Sequence, residues 1–491
     1  MTACHDDGTH LRRIINTMPK PTLVSLFTGA GGLDLGLEQA GFETLFANEV
    51  EPYACESLRA NRVLQSLVPA EFDLWFNTQV TKQRCYRQVP LAESARLRRR
   101  LAGAVNNEAY LAHAHIVERD IRTLLASEIL EAIKRKPGEI DLVAGGPPCQ
   151  PFSRAGKREL VECDTGQLFR DFVRIVTALR PRWFLFENVK GLVLHKADVA
   201  SQRCPSCKSV AIVEFALRES IKESEEVVAN CRCCGYHGRQ AIFWDKRRAG
   251  SLEIIQGEFE RAGYTCSSII LNAADYGAPQ HRERLFIVGS RDGEKLTWPT
   301  PTYGGPDAKR RSLPTLFDRL KTGRFEWQTV NDALYNNGHW GYGQLDPAKA
   351  VLWVKNVVRP HDEPVTWTLD RPAPTIGAHQ SAKLAIAPLG VPEEQLYRQQ
   401  WHVLGRRQGD TPPVHVEHEY LTDEELLALQ TFPTSWYLYG TRMQRAFQIG
   451  NAVPPVLARA VGDAILAAMG VTTGRVSESR VSHEQRHAAR L

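Results

Sequence analysis

The sequence predicts an α/β protein, a doubly wound open-sheet domain interrupted by a cysteine-rich insertion and by a long region that is mostly irregular or β. Three observations carry this. A short apolar strand, Thr22 to Phe27, turns through Gly29, Gly31 and Gly32 into a helical pattern of Leu33, Leu35, Leu37 and Ala40. Further apolar runs, Thr44 to Ala47, Ile140 to Ala144 and Trp183 to Phe186, each stop just before residues able to do chemistry, as strands do whose carboxyl ends line a ligand crevice. Two C-x-x-C knuckles, Cys204/Cys207 and Cys231/Cys234, then stand together in a polar stretch between two apolar blocks.

The Gly-rich turn lets the backbone approach a ligand closely and aims helix N-terminal N–H groups at it. A nicotinamide enzyme needs G-x-G-x-x-G, but Asp34 occupies the third glycine's place after Gly29 and Gly31. Without a pyrophosphate to hold, a carboxylate there is tolerable, and a cationic sulfonium ligand favours it. The second strand ends at Asn48-Glu49, where doubly wound folds place a carboxylate on ribose hydroxyls, which makes Glu49 the candidate.

The third run leads into Gly145-Gly146-Pro147-Pro148-Cys149-Gln150-Pro151-Phe152-Ser153. Two prolines of fixed φ hold Cys149 in a rigid turn with polar neighbours, the setting of a nucleophile, although a small core cysteine is the competing reading. The fourth run ends at Glu187, so Cys149 and Glu187 are expected at the carboxyl edge of one parallel sheet. Arg282 and Arg284 alternate in a strand-like stretch, Gln280 to Gly289, and so share a face, as candidate cationic helpers for a thiolate. An exposed, salt-bridged strand would give the same alternation.

Four thiolates at Cys204, Cys207, Cys231 and Cys234 suit a closed tetrahedral zinc site, with Cys233 or His237 as a spare ligand and a redox dithiol as the alternative. A structural zinc ribbon is therefore expected over 200–240. Another insertion, 62–115, is rich in Arg, Leu and Ala with an aromatic stretch from Phe72 to Phe76, and its purpose is not readable.

The chain has 491 residues, enough for two or three units at roughly 100–200 residues each. Its 43% hydrophobic and 24% charged residues are those of an ordinary folded protein, with no run of 18 apolar residues and no export-signal pattern; a cytoplasmic location without membrane attachment is expected. Eleven cysteines in such a chain argue for thiols and metal ligands rather than a disulfide framework. A formal charge of +5 is compatible with nucleic acid without establishing it, and the runs Arg96 to Arg100 and Lys309 to Arg311 fit either phosphate contacts or solvated faces.

With Leu26-Phe27-Thr28-Gly29-Ala30-Gly31-Gly32, Pro147-Pro148-Cys149-Gln150, Glu187-Asn188-Val189, Gln280-His281-Arg282-Glu283-Arg284 and Gly450-Asn451-Ala452-Val453-Pro454 present in order, the chain resembles the DNA (cytosine-5) methyltransferases of bacterial restriction–modification systems. The resemblance reaches from about residue 22 to about 468 and implies a Rossmann-like, S-adenosylmethionine-dependent domain. Cofactor contacts would be Phe27, Gly29, Gly31, Gly32, Glu49, Asp120, Ile121, Pro147 and Asn451, with Asp120 also readable as a helix cap and Asn451 as turn chemistry. The family's stacking aromatic after Glu49 is here Val50.

The resemblance further implies that the Cys149 thiolate adds to carbon 6 of a cytosine flipped out of duplex DNA, while Glu187 contacts ring nitrogen 3 and the amino group. Catalytic residues are then Cys149, Glu187, Arg282 and Arg284, with Ser153 to Lys157 facing the emptied stack. The implied division is a disordered tail (1–20), a catalytic domain (21–300), a target recognition domain (301–420), a return to the catalytic domain (421–470) and a second disordered tail (471–491). Arg371 to Thr375 and Leu429 to Pro433 match family segments, but Glu424 and Ala428 stand where arginines usually brace the recognition domain. A monomer is expected, with a restriction endonuclease acting on the same sequence as a further partner. The alternatives are an RNA cytosine-5 methyltransferase of the same fold, a catalytically silent DNA-binding module and, weakest, a NAD-dependent dehydrogenase.

Overall fold

Four apolar runs become the parallel strands β1 (Thr22–Leu26), β2 (Glu43–Glu49), β4 (Leu142–Gly145) and β5 (Trp183–Val189), and the short, half-exposed His115–Glu118 adds a fifth, β3, beside β2. The structure is a computed structural model that describes residues 19–84, 91–105, 110–148, 168–194, 196–208, 210–214, 226–230, 234–305, 324–334, 350–354, 365–377, 384–388 and 419–471. Two further strands complete a seven-stranded sheet in the order Thr265–Asn272, Glu283–Ser290, β5, β4, β1, β2, β3. Glu283–Ser290 runs antiparallel to both of its neighbours. Strand order therefore reverses at β1, between β4 and β2, where open sheets leave a crevice at their carboxyl edge.

Side-chain alternation assigns the two faces. Val24, Leu26, Val143, Phe184 and Phe186 pack against Phe172, Ile175, Ile254 and Phe259 of the helices Leu168–Leu179 and Ser251–Arg261. The residues between them, Leu23, Leu142, Ala144, Trp183 and Leu185, meet Leu37, Leu457, Val461 and Ile465 of Gly32–Ala40 and Pro455–Ala468. Each such fully buried side chain contributes about 1.5–3 kcal/mol, so both helical layers are held firmly on the sheet. The C-terminal helix thus folds back onto the helix that follows the Gly-rich turn.

Expected boundaries shift where backbone conformation changes. β1 ends at Leu26 rather than Phe27, whose φ of 56° leaves the extended region. The last strand starts at Glu283, not Gln280, because Gln280 instead bridges to Ala373. Insertion 62–115 forms the helices Phe72–Arg84 and Leu91–Ala102, whose Phe72, Trp75, Phe76 and Leu101 cluster with Tyr437.

In the cysteine-rich segment the strands Lys196–Arg203, Val210–Glu214, Glu226–Asn230 and His237–Gly250 form a separate antiparallel sheet. A second four-stranded sheet joins Ala350–Val354, Val365–Thr368, Leu384–Pro388 and Glu419–Tyr420. No helix among the described residues is long and apolar enough to cross a membrane.

Candidate active site

Adjacent strands deliver the predicted residues to one edge. Reading across the sheet, the carboxyl ends carry Glu187 on β5, Pro147 just after β4, the Phe27 to Gly32 turn after β1, Glu49 closing β2 and Asp120 just after β3.

Glu49 organises the Gly-rich turn. Its carboxylate accepts from Gly29 N at 2.6 Å, Val50 N at 2.8 Å and Glu51 N at 2.9 Å. Burial pushes its pKa up, against the lowering effect of these hydrogen bonds. Behind the turn, Gly32 lies so close to the Val453 carbonyl that a Cβ would clash, which brings the segment after Asn451 against the turn. Asn451 ends the helix Arg442–Asn451 and is exposed. Val50 is 53% exposed where an aromatic would stack.

Beside this, Asn48 Nδ2 donates to the carbonyls of Val117 and Arg119, at 3.3 and 2.8 Å, fixing the approach to Asp120. Asp120 caps the short 3-10 turn Ile121–Thr123 by accepting from Arg122 N at 2.9 Å, and its carboxylate also pairs with the Arg122 guanidinium. These bonds hold its pKa low. The capping reading is thus realised, and Ile121 is buried beneath it.

At the β5 end, Glu187 and Arg284 form a buried pair, with Arg284 Nε 3.0 Å from Glu187 Oε1. Antiparallel pairing sets Val189 opposite Arg284 and Glu187 opposite Phe286, so the arginine arises where β5 ends. Burial raises the Glu187 pKa, and Arg284 followed by Arg282 opposes the shift. Burial also disfavours the charge of both arginines, but a guanidinium does not give up its proton in proteins, so the carboxyl is the group that responds. A Cβ on Gly146 would lie 2.5 Å from Glu187 Oε2, so a side chain there would push the carboxylate out of its place.

Arg282 does not pair with the carboxylate as Arg284 does. It is wholly buried, and its guanidinium donates to the carbonyls of Ile376 at 2.8 Å and Gly450 at 2.9 Å. The alternation in sequence suggested one shared face and one role for both arginines, but Arg282 ties three chain segments together. Gln280 does the same, donating to Leu429 O and Gln430 Oε1, both at 2.9 Å. Asn188, whose Nδ2 donates to Pro147 O at 3.3 Å, is another contributor that sequence reasoning gave no role. Its only signal was its place beside Glu187.

Cys149 and the Ser153 to Lys157 segment lie outside the described residues, as do Lys309 to Arg311, Cys231 and the terminal stretches 1–18 and 472–491. Of the four knuckle cysteines, Cys204, Cys207 and Cys234 bring their sulfurs within 4.8 Å of one another, with Cys204 and Cys234 sulfurs 3.7 Å apart. Cys204 is buried and the other two are exposed. A tetrahedral zinc with sulfurs at about 2.3 Å requires sulfur–sulfur separations of roughly 3.8 Å, which these three residues can meet.

A methyltransferase-type α/β sheet, bearing a Gly-rich turn bound to a strand-end carboxylate and a buried Glu–Arg pair beside it, is the class that fold and site define. The chain matches the model of the C-5 cytosine-specific DNA methylases over residues 22–73, 108–206 and 243–467, and it belongs to that family of DNA cytosine-5 methyltransferases. The unmatched stretches between these fall on the two predicted insertions. Among curated relatives, the type II methyltransferase M1.HphI of Haemophilus parahaemolyticus is 26% identical over 460 residues, covering 91% of this chain and 86% of the relative. M.AquIA of a Picosynechococcus strain is 31% identical over 312 residues, 64% of this chain and 87% of the relative. M.XorII of Xanthomonas oryzae pv. oryzae is 28% identical over 485 residues, 94% and 88% respectively.

Proposed function

We propose that the chain methylates carbon 5 of a cytosine flipped out of a short, specific duplex DNA sequence, and that it protects DNA in a restriction–modification system. The observation that carries this is the buried Glu187–Arg284 pair beside the turn that leads into Cys149. The relatives' designation as type II methyltransferases supports the protective role, with a nuclease cutting the same sequence as its counterpart.

Carbon 5 of cytosine is a weak nucleophile, so electron density has to be raised before it can accept a methyl group. In this reading the Cys149 thiolate forms a bond to carbon 6, pushing an electron pair toward carbon 5. Glu187, with its raised pKa, holds a proton at ring nitrogen 3 and stabilises the adduct, and Arg284 keeps its carboxyl oriented. Once carbon 5 carries the methyl group, a base takes its proton and the carbon 6–sulfur bond breaks, returning the thiolate.

S-adenosylmethionine supplies the methyl group as an electrophile when bound. The carboxylate and turn at the strand ends suit such a ligand: Glu49 would hold the ribose, with Phe27, Gly29, Gly31, Gly32, Asp120, Ile121, Pro147 and Asn451 as the other contacts. Arg282 belongs in this scheme as a positioning residue. The segment 200–240 is proposed to be a zinc ribbon held by Cys204, Cys207, Cys234 and Cys231, and 301–420 to be the recognition region of a monomeric, cytoplasmic enzyme.

Expression of the chain and of Cys149→Ala in a host lacking cytosine methylation, followed by base-conversion sequencing, tests the proposal. Methylation at one short motif, absent with the variant, is expected. Unmethylated DNA from cells making the folded wild type would overturn it, and methylation by the variant would remove Cys149 from the mechanism.

A further inference from the structure

Two features left unexplained by the sequence meet in space. Glu424, which stands where the family resemblance expects an arginine, lies in the first turn of the helix Asp423–Leu429. Arg96, from the insertion helix Leu91–Ala102, reaches it with both Nε and an NH2 nitrogen at 3.2 Å from Glu424 Oε2. Next to Glu424 on the same turn, Asp423 is held by Arg445 at 2.5 Å. An acidic first turn suits the positive end of a helix, and it supplies the insertion with a fixed anionic target.

The insertion is firmly seated. Trp75 packs edge-on against Tyr437 at 5.8 Å, Arg98 joins the two insertion helices through Asp73, and Asn61, just before the insertion, donates to Tyr437 O and accepts from Tyr437 N, both at 2.8 Å. The far end of the helix Asp423–Leu429 is equally committed. Leu429 O accepts from Gln280, two residues before Arg282 and four before Arg284. Leu426, Leu427 and Leu429 share a core with Val330, Leu334, Leu369 and Ile376. The chain enters the 378–418 stretch directly after this core and returns from it at Glu419, three residues before the helix's N-cap, Thr422. One short helix thus joins the Glu187–Arg284 site to both ends of that stretch, and the family model skips 74–107, where its Arg96 brace originates.

We infer that the insertion helices brace the recognition region from within the chain, with Arg96 acting as a positioning residue for DNA through Glu424. This rests on the DNA reading above.

The test is a charge-swap cycle in the full-length protein: Arg96→Glu, Glu424→Arg and the double variant, assayed for KM toward a methylatable duplex, for kcat at saturating DNA and for melting temperature. Each single variant is expected to raise the KM for DNA about tenfold, the scale on which contacting residues couple, with kcat within about twofold. The double variant is expected to recover most of that loss. If Arg96 met phosphates directly, the double variant would bind no better than Arg96→Glu, and the brace would be overturned. Variants that lower the melting temperature without moving KM would overturn it as well. A folded wild type that methylates no DNA would overturn the DNA reading itself, and the brace with it.

Discussion

Asn188 reaches from the end of β5 to Pro147, its Nδ2 donating to the Pro147 carbonyl at 3.3 Å, while its own Oδ1 accepts from Val189 N at 2.8 Å. The strand that presents Glu187 is thereby fastened to the turn that runs into Cys149. Reacting groups held on two separate strands need such a clamp, because a misplacement of about 1 Å can cost roughly a hundredfold in rate. Asn188→Ala is expected to slow single-turnover methyl transfer by at least about tenfold with little change in melting temperature. An unchanged single-turnover rate would show that the hydrogen bond has no part in aligning the two strands.

Glu187 and Arg284 depend on each other in a pH-dependent way. Arg284→Ala strands a buried carboxyl whose pKa burial already raises, and breaking a buried pair typically costs about 3–5 kcal/mol. The carboxyl escapes that cost by taking up a proton. Stability of the variant is therefore expected to fall relative to wild type as pH rises from about 5 to about 8, with the smaller deficit at the acid end. Denaturant unfolding at the two pH values checks this, and a deficit independent of pH would mean that Glu187 is not the stranded charge. Glu187→Gln keeps the shape without a transferable proton and is expected to slow adduct formation by about 10²–10⁴, the usual contribution of a positioned acid or base. Adduct trapping with a mechanism-based cytosine analogue reads that rate.

Much of this site was legible because its residues follow apolar runs. Four such runs became parallel strands, and Glu49, Glu187 and the Gly-rich turn emerged at one edge as the pattern required, while the fifth parallel strand, His115–Glu118, is too short and too polar to stand out. What was hidden is contact made over long sequence separations. Nothing in the local pattern distinguishes Arg284, paired with a carboxylate, from Arg282, donating to carbonyls 94 and 168 residues away. The cap at Asp120 was one of two readings the sequence offered, and it is made with the neighbouring Arg122 N. The purpose of the 62–115 helices was closed to sequence reasoning because their partners, Tyr437 and Glu424, lie over 300 residues further on.

The cysteine cluster yields a metal prediction. With Cys204, Cys207 and Cys234 sulfurs within 4.8 Å, the purified protein is expected to carry about one zinc per chain, and its removal should loosen residues near 200–240 because a structural metal's binding energy is folding energy. Hydrogen exchange before and after chelation would localise the change. Exchange in that segment that is indifferent to complete metal removal would leave a thiol cluster without a structural metal.

Asp34 makes the last prediction. It is wholly buried, and neither carboxylate oxygen has a hydrogen-bond partner among the described residues, although Ser25 lies near enough to offset burial slightly. Burial raises its pKa from 3.8 to about 7, and Glu38 four residues on reaches about 7 for the same reason. The folded chain therefore keeps protons that the unfolded chain has released between about pH 4 and 7, so stability should fall as pH rises through that window and level off above it. A group that differs fully in protonation contributes a slope of about 1.4 kcal/mol per pH unit. Asp34→Asn has no charge to bury, so it should flatten the curve by part of one such slope and melt at a higher temperature than wild type at pH 8. If the variant keeps the wild-type slope between pH 5 and 7, Asp34 is ionised in the folded state and a cation or donor compensates it. Methionine-side binding of a sulfonium cofactor beside the same helix would then be the compensating charge to seek, by repeating the pH series with the cofactor present.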